Sequence, residues 1–169
     1  MAILSTDLKF YLSGGAANSN PNASLGGAMS STETLTGALH DLFDAISEDE
    51  TAAGDAEYRC IYLVNTSAEL ASNARIWIEA NTPSPGSSVE IGLGTAAINA
   101  DEPTFADEGT APAGVTFSAA PVDVDTALTI GDLPAGARQA IVIRRTVTAG
   151  MAATASDTMQ LGVRVGSGA

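Results

Sequence analysis

At 169 residues, with twenty acidic side chains against seven basic ones, the chain has a formal net charge of −13. Phosphate backbones and anionic lipid repel such a polyanion, which argues against direct nucleic-acid binding and electrostatic membrane attachment. Hydrophobic residues make up 45% of the chain but aromatics only 5%, and Gly alone contributes 17 residues, so the composition is that of one domain of short strands and turns rather than of long amphipathic helices.

The N-terminus, Met1–Phe10, lacks the apolar core of a secretory signal, and no run reaches the roughly 18 apolar residues of a membrane helix. Asp7–Leu12 alternates in part and predicts a first strand. Residues 13–31, S-G-G-A-A-N-S-N-P-N-A-S-L-G-G-A-M-S-S, have too little apolar surface to order themselves. They read as a mobile loop or as an extended arm that orders against a neighbouring subunit. Thr34–Ser47 is the one helix candidate, because Leu35, Leu39, Leu42, Phe43 and Ile46 fall at helical spacing. Ser47–Asp55 reads as an acidic loop, its Glu48-Asp49-Glu50 run a solvated charge cluster rather than a cation site.

The organising stretch is Glu57–Glu79. Two runs dense in β-branched and aromatic residues, Tyr58–Asn65 and Ala74–Glu79, flank a polar connection and predict a pair of strands at the centre of the core. The single Trp77 falls in the second run and is expected in the core rather than on an exposed platform. Asn81–Ser88 is a turn and Val89–Leu93 a short strand. Asn99–Gly114 is a charged loop, and Val115–Phe117 and Ala127–Ile130 are weaker strand candidates. The turn Gly131–Gly136 feeds a strong strand, Gln139–Val147. Thr148–Ala155 is small and flexible in composition. Thr158–Val165 closes with Met159, Leu161, Val163 and Val165 on one face and Gln160, Gly162 and Arg164 on the other, and Gly166–Ala169 should fray. The pattern predicts an all-β antiparallel sandwich spanning residues 1–169 as a single domain, with one short helix.

Chemistry-bearing patterns are sparse. His40 beside Asp41 suggests a triad fragment, but no G-x-S-x-G elbow accompanies it, and a surface His is the plainer reading. Cys60 excludes an internal disulfide, and its apolar neighbours predict burial rather than reactivity. One Cys and one His fall short of a zinc set. Asp123-Val124-Asp125 lacks the rest of a calcium loop, and neither Gly14-Gly15, Gly26-Gly27 nor Gly92–Gly94 completes a phosphate or dinucleotide motif. Lys9, the only lysine, has nothing beside it to depress its pKa. The residues therefore predict no catalytic, cofactor-binding or metal-ligating group.

Four segments carry a resemblance: K-F-Y-L-S-G-G-A-A-N-S-N-P-N-A-S-L-G-G (Lys9–Gly27), G-D-A-E-Y-R-C-I-Y-L-V-N (Gly54–Asn65), R-I-W-I-E-A-N-T-P (Arg75–Pro83) and L-P-A-G-A-R-Q-A-I-V-I-R-R-T-V-T-A-G (Leu133–Gly150). They resemble small structural proteins of tailed bacteriophages, capsid cement or decoration proteins above all. The resemblance implies a jelly-roll-like sandwich, a non-enzymatic role at the outer head surface bridging capsomers, assembly in the host cytoplasm, the major capsid protein as partner, and a homo-oligomer, dimer or trimer. On that view the Gly/Asn-rich N-terminal arm makes the contacts, through Phe10, Tyr11, Asn18, Asn20, Pro21, Asn22, Leu25 and Met29. The alternatives are a tail or tail-fibre-associated component and a carbohydrate- or receptor-binding module on the same fold.

Overall fold

Antiparallel strands in two unequal sheets form the framework of the computed structural model, which describes residues 3–81, 87–119, 121–151 and 158–167. The strands are β1 (Leu8–Leu12), β2 (Glu33–Thr34), β3 (Asp55–Asn65), β4 (Ala71–Asn81), β5 (Ser87–Leu93), β6 (Leu128–Leu133), β7 (Arg138–Val147) and β8 (Met159–Ser167), with one helix, α1 (Glu48–Ala53). The larger sheet has the order β2-β1-β3-β7-β5 and the smaller β6-β4-β8. From β3 onward every successive strand lies in the opposite sheet. The fold is an all-β sandwich, as the strand pattern predicts.

The core lies between the sheets. Ile61 and Leu63 of β3, Ile76 and Ile78 of β4, Ile91 of β5, and Ile141 and Ile143 of β7 are buried there. Met159, Leu161, Val163 and Val165 pack against them from β8, the face assigned by alternation. The larger sheet has a second covered face, where Tyr58, Cys60, Tyr62, Val64, Ala140 and Val142 meet Phe105, Leu25, Met29, Val115 and Phe117. Strand β3 is thus buried on both faces, which explains why Cys60–Val64 is a continuous apolar run rather than an alternation.

The second cover is built from the loops that composition marked as weak. Strand β1 pairs with β3 only from Ile61 to Asn65. Beyond that point the loops take over: Cys60 N–H donates to Ser24 O (2.7 Å) and Tyr58 N–H to Glu108 O (2.8 Å). Residues 13–31 are neither a free loop nor an arm reaching away from the fold. Gly14 N–H donates to Gly26 O, Ser30 N–H to Leu12 O and Phe105 N–H to Leu25 O, and Ser13, Ser24 and Ser30 are buried. Backbone hydrogen bonds to its own sheet supply the order that the missing apolar surface could not. Gly26 shows how tight the fit is, because a Cβ there would lie 2.2 Å from the Pro103 carbonyl oxygen.

The helix expected over Thr34–Ser47 is not formed. Thr34 belongs to β2, and Leu35 (φ 56°), Gly37 (φ 89°) and His40 (φ 58°) have left-handed backbone that no α-helix contains. The observed helix instead occupies the segment read as an acidic loop. Ser47 Oγ accepts from Glu50 N–H while the Glu50 carboxylate accepts from Ser47 N–H, a capping box, and the acids of the first turn suit the positive end of the helix dipole. Residues 115–117 form no strand, although Ser118 makes an isolated bridge to Ile91. Residues 82–86 of the Asn81–Ser88 turn, 152–155 of the Thr148–Ala155 segment and 168–169 of the C-terminus lie outside the described residues, whereas Gly166 and Ser167 continue β8.

Candidate functional site

The most distinctive surface feature is the loop that replaces the expected helix. Asp41 closes it: its carboxylate accepts from Thr36 N–H and from Thr36 Oγ1 (3.1 Å), and its backbone oxygen accepts from Thr34 Oγ1 (2.7 Å). Leucine with positive φ is sterically unfavourable, so the closure holds Leu35 in a strained conformation. Leu39 projects from the tip at 81% exposure, and His40 beside it is also exposed. Under the loop runs a cleft of about 950 Å³, bordered by Phe10, Phe43, Val89, Met159 and Leu161.

A buried ionic cluster anchors this loop. Glu57 on β3 faces Arg145 on β7, and both Arg145 Nε (2.7 Å) and Nη2 donate to Glu57 Oε2. Arg59, wholly buried, donates to Glu108 Oε2 (2.7 Å), Asn22 Oδ1 (3.0 Å) and Tyr58 O (3.1 Å). Both guanidiniums lie over the Phe43 ring, at 5.3 Å for Arg59 and 4.8 Å for Arg145. Arg145 Nη1 donates to Asp44 O (2.7 Å), and Asn22 Nδ2 donates to Asp44 Oδ2 (3.0 Å). Phe43 and Asp44 thereby fix the base of the loop while its tip stays in solvent. Burial pushes the Glu57 carboxyl above its ordinary value, and the attraction of Arg145 and Arg59 works against that rise.

Sequence reading missed this cluster. Its trace was an Arg inside each of two apolar runs, Tyr58-Arg59-Cys60 and Ile143-Arg144-Arg145, in a chain with few cations. Glu50, Asp55 and Glu57 approach closely enough to share a hard cation, but a metal there would have to displace Arg145 from Glu57.

The eight expected contact residues fall mainly into internal roles. Phe10 packs on the inter-sheet core; Tyr11, Leu25 and Met29 pack on the second apolar face. Asn18 donates to Ser13 O (2.6 Å), Asn20 accepts from Asn22 N–H, Pro21 opens a 3-10 turn over Pro21–Ala23, and Asn22 joins Arg59 to Asp44. Trp77 is not in the core. Ile76 and Ile78 point inward, so Trp77 lies half-buried on the outer face of the smaller sheet, its indole N–H donating to Glu79.

The chemistry-bearing residues separate in space. His40 sits on the loop tip. Cys60 is fully buried, and burial drives its thiol up to about 12. Asp123 Oδ1 accepts from Asp125 N–H (3.0 Å), Thr126 N–H (2.9 Å) and Thr126 Oγ1 (2.9 Å), so the D-x-D is a self-bonded turn. Fold and surface together define the chain as a β-sandwich with an anchored projecting loop. No protein-family model matches it, and no curated protein or solved structure matches it significantly.

Proposed function

We propose that the chain is a non-enzymatic structural protein of a tailed-bacteriophage virion, a capsid cement or decoration protein that sits on the outer head surface and bridges capsomers. One observation carries the reading. The four segments that resemble such proteins do not scatter over the fold: they become β1 with its covering loop, β3, most of β4, and β7 with its flanking turns, which pack on one another. That arrangement supports reading the likeness over one structural unit. The contact surface is transferred from the N-terminal segment to the projecting loop, where Leu39 stands in solvent on a rigidly anchored base. An exposed apolar tip on a preorganised loop suits a partner with a matching pocket, here the major capsid protein, at small entropic cost. Many such contacts on one lattice, with the chain as a dimer or trimer, bind tightly through multivalency even when each is modest.

Quantitative mass spectrometry of purified virions tests the proposal. A copy number matching the head lattice supports cement. A handful per particle moves the chain to the tail or a fibre, and absence from the particle overturns the virion reading.

A further inference from the structure

The chain has seven cationic side chains. Five of them, Lys9, Arg59, Arg138, Arg144 and Arg145, each face a carboxylate at ion-pair distance. The other two, Arg75 on β4 and Arg164 on β8, face none among the described residues, and they are direct cross-strand partners. Like charges placed opposite each other destabilise a sheet. Among the described residues no carboxylate neutralises this pair, and an anion from outside would relieve the repulsion.

The pair lines a hollow of about 220 Å³ together with Asn73, Val124 and Gly166. The Arg75 guanidinium has one weak internal contact, from Nη1 to Val124 O at 3.5 Å, and its Nε has no partner. Two residues further along β4, on the same outer face, stands Trp77, opposite Gly162. The indole covers that glycine: a Cβ there would lie 2.2 Å from Trp77 Cε2 and 2.5 Å from Cζ2. The hydrogen bond to Glu79 fixes the ring. Trp77 is thus a platform with one side on the backbone, and strand geometry sets it about 7 Å from the Arg pair.

We propose that the outer face of the smaller sheet binds an acidic saccharide. A pyranose ring stacks on Trp77, its carboxylate lies between Arg75 and Arg164, and Asn73 meets a neighbouring hydroxyl. One carboxylated sugar spans the distance from platform to guanidiniums. A uronide has one charge per ring, whereas an acidic protein segment would concentrate charge against a molecule of net charge −13. The inference is independent of the virion reading, since it uses only the face of β4 and β8.

Trp77 is the only tryptophan, so its emission reports on this site alone. The full chain is titrated with oligogalacturonate, with a neutral galactose oligomer, with sodium sulfate and with poly-glutamate, and each titration is repeated by calorimetry. Oligogalacturonate should give a saturable change and the neutral oligomer none. Arg75→Gln and Arg164→Gln should each weaken binding about tenfold with an unchanged far-ultraviolet spectrum. No saturable signal with oligogalacturonate by either method overturns the proposal. An equal response to sulfate reduces the site to a bare anion hollow and overturns the saccharide assignment, as does tighter binding of poly-glutamate.

Discussion

Replacing Arg145 by Met is expected to destabilise the fold by about 3 kcal/mol at neutral pH, and by less as the solution is acidified. The carboxylate it leaves behind is Glu57, whose side chain is only 4% exposed. Its remaining cationic partner is Arg59 Nη2 at 3.4 Å, too long for a strong charge-assisted bond. Breaking a buried pair costs about 3–5 kcal/mol, and the distant Arg59 places this case at the low end. The pH dependence follows from burial. The Glu57 carboxyl already lies above its ordinary value, and loss of Arg145 raises it further. Between the unfolded-state value, about 4.3, and the folded one, the native chain then holds a proton that the unfolded chain releases. Stability therefore falls as pH rises through that window, and the penalty shrinks on acidification. A double replacement, Glu57→Met with Arg145→Met, removes both charges and should return to within about 1 kcal/mol of the parent. Urea unfolding followed by circular dichroism across pH measures all three proteins. A penalty for Arg145→Met that does not vary with pH, or a double variant as unstable as the single one, refutes the reasoning.

Two further outcomes test the loops. Gly26→Ala should cost about 3 kcal/mol, because the new methyl meets the Pro103 carbonyl in a left-handed backbone. It should also open the cover over Cys60, whose thiol, driven up to about 12, is expected to resist an aromatic disulfide reagent in the parent and to react in the variant. Asp41→Ala removes the closure to Thr36 and should cost about 1 kcal/mol while making the tip around Leu39 the first site of limited proteolysis. Unchanged cleavage would mean that the loop is held from its base alone.

The strands were legible because their signals are local. Alternation in β8 sets Met159, Leu161, Val163 and Val165 inward, and the dense apolar run of β3 marks a strand covered on both faces. The apolar stripe from Leu35 to Ile46 misled because it satisfies two geometries. Leu42 and Phe43 are buried or half-buried in the loop as they would be on a helix, and the three left-handed residues that forbid the helix leave no mark in hydrophobic spacing. The Ser47–Glu50 capping box was visible as text but was read as a charge run. Order in residues 13–31 comes from backbone groups meeting a distant strand, which composition does not encode. Trp77 was expected inside on the strength of its size, although Ile76 and Ile78 already fill the inner face of β4. The Arg75–Arg164 pair becomes visible only once the register of β4 and β8 is known, nearly ninety residues apart in sequence.

The alternation of successive strands between sheets has a kinetic consequence. No neighbouring pair from β3 to β8 can close as a hairpin, so neither sheet can be completed from one end of the chain. Strand β1 can protect one edge of β3, but the other edge waits for β7, which separates β3 from β5. On a ribosome, the central strand β3 emerges some seventy residues before its inner partner β7. During that interval it is an open template for pairing with another nascent chain. Folding should be slow for a domain of this size, and yield in the cell should depend on how crowded the translating messages are as well as on the stability of the finished sandwich.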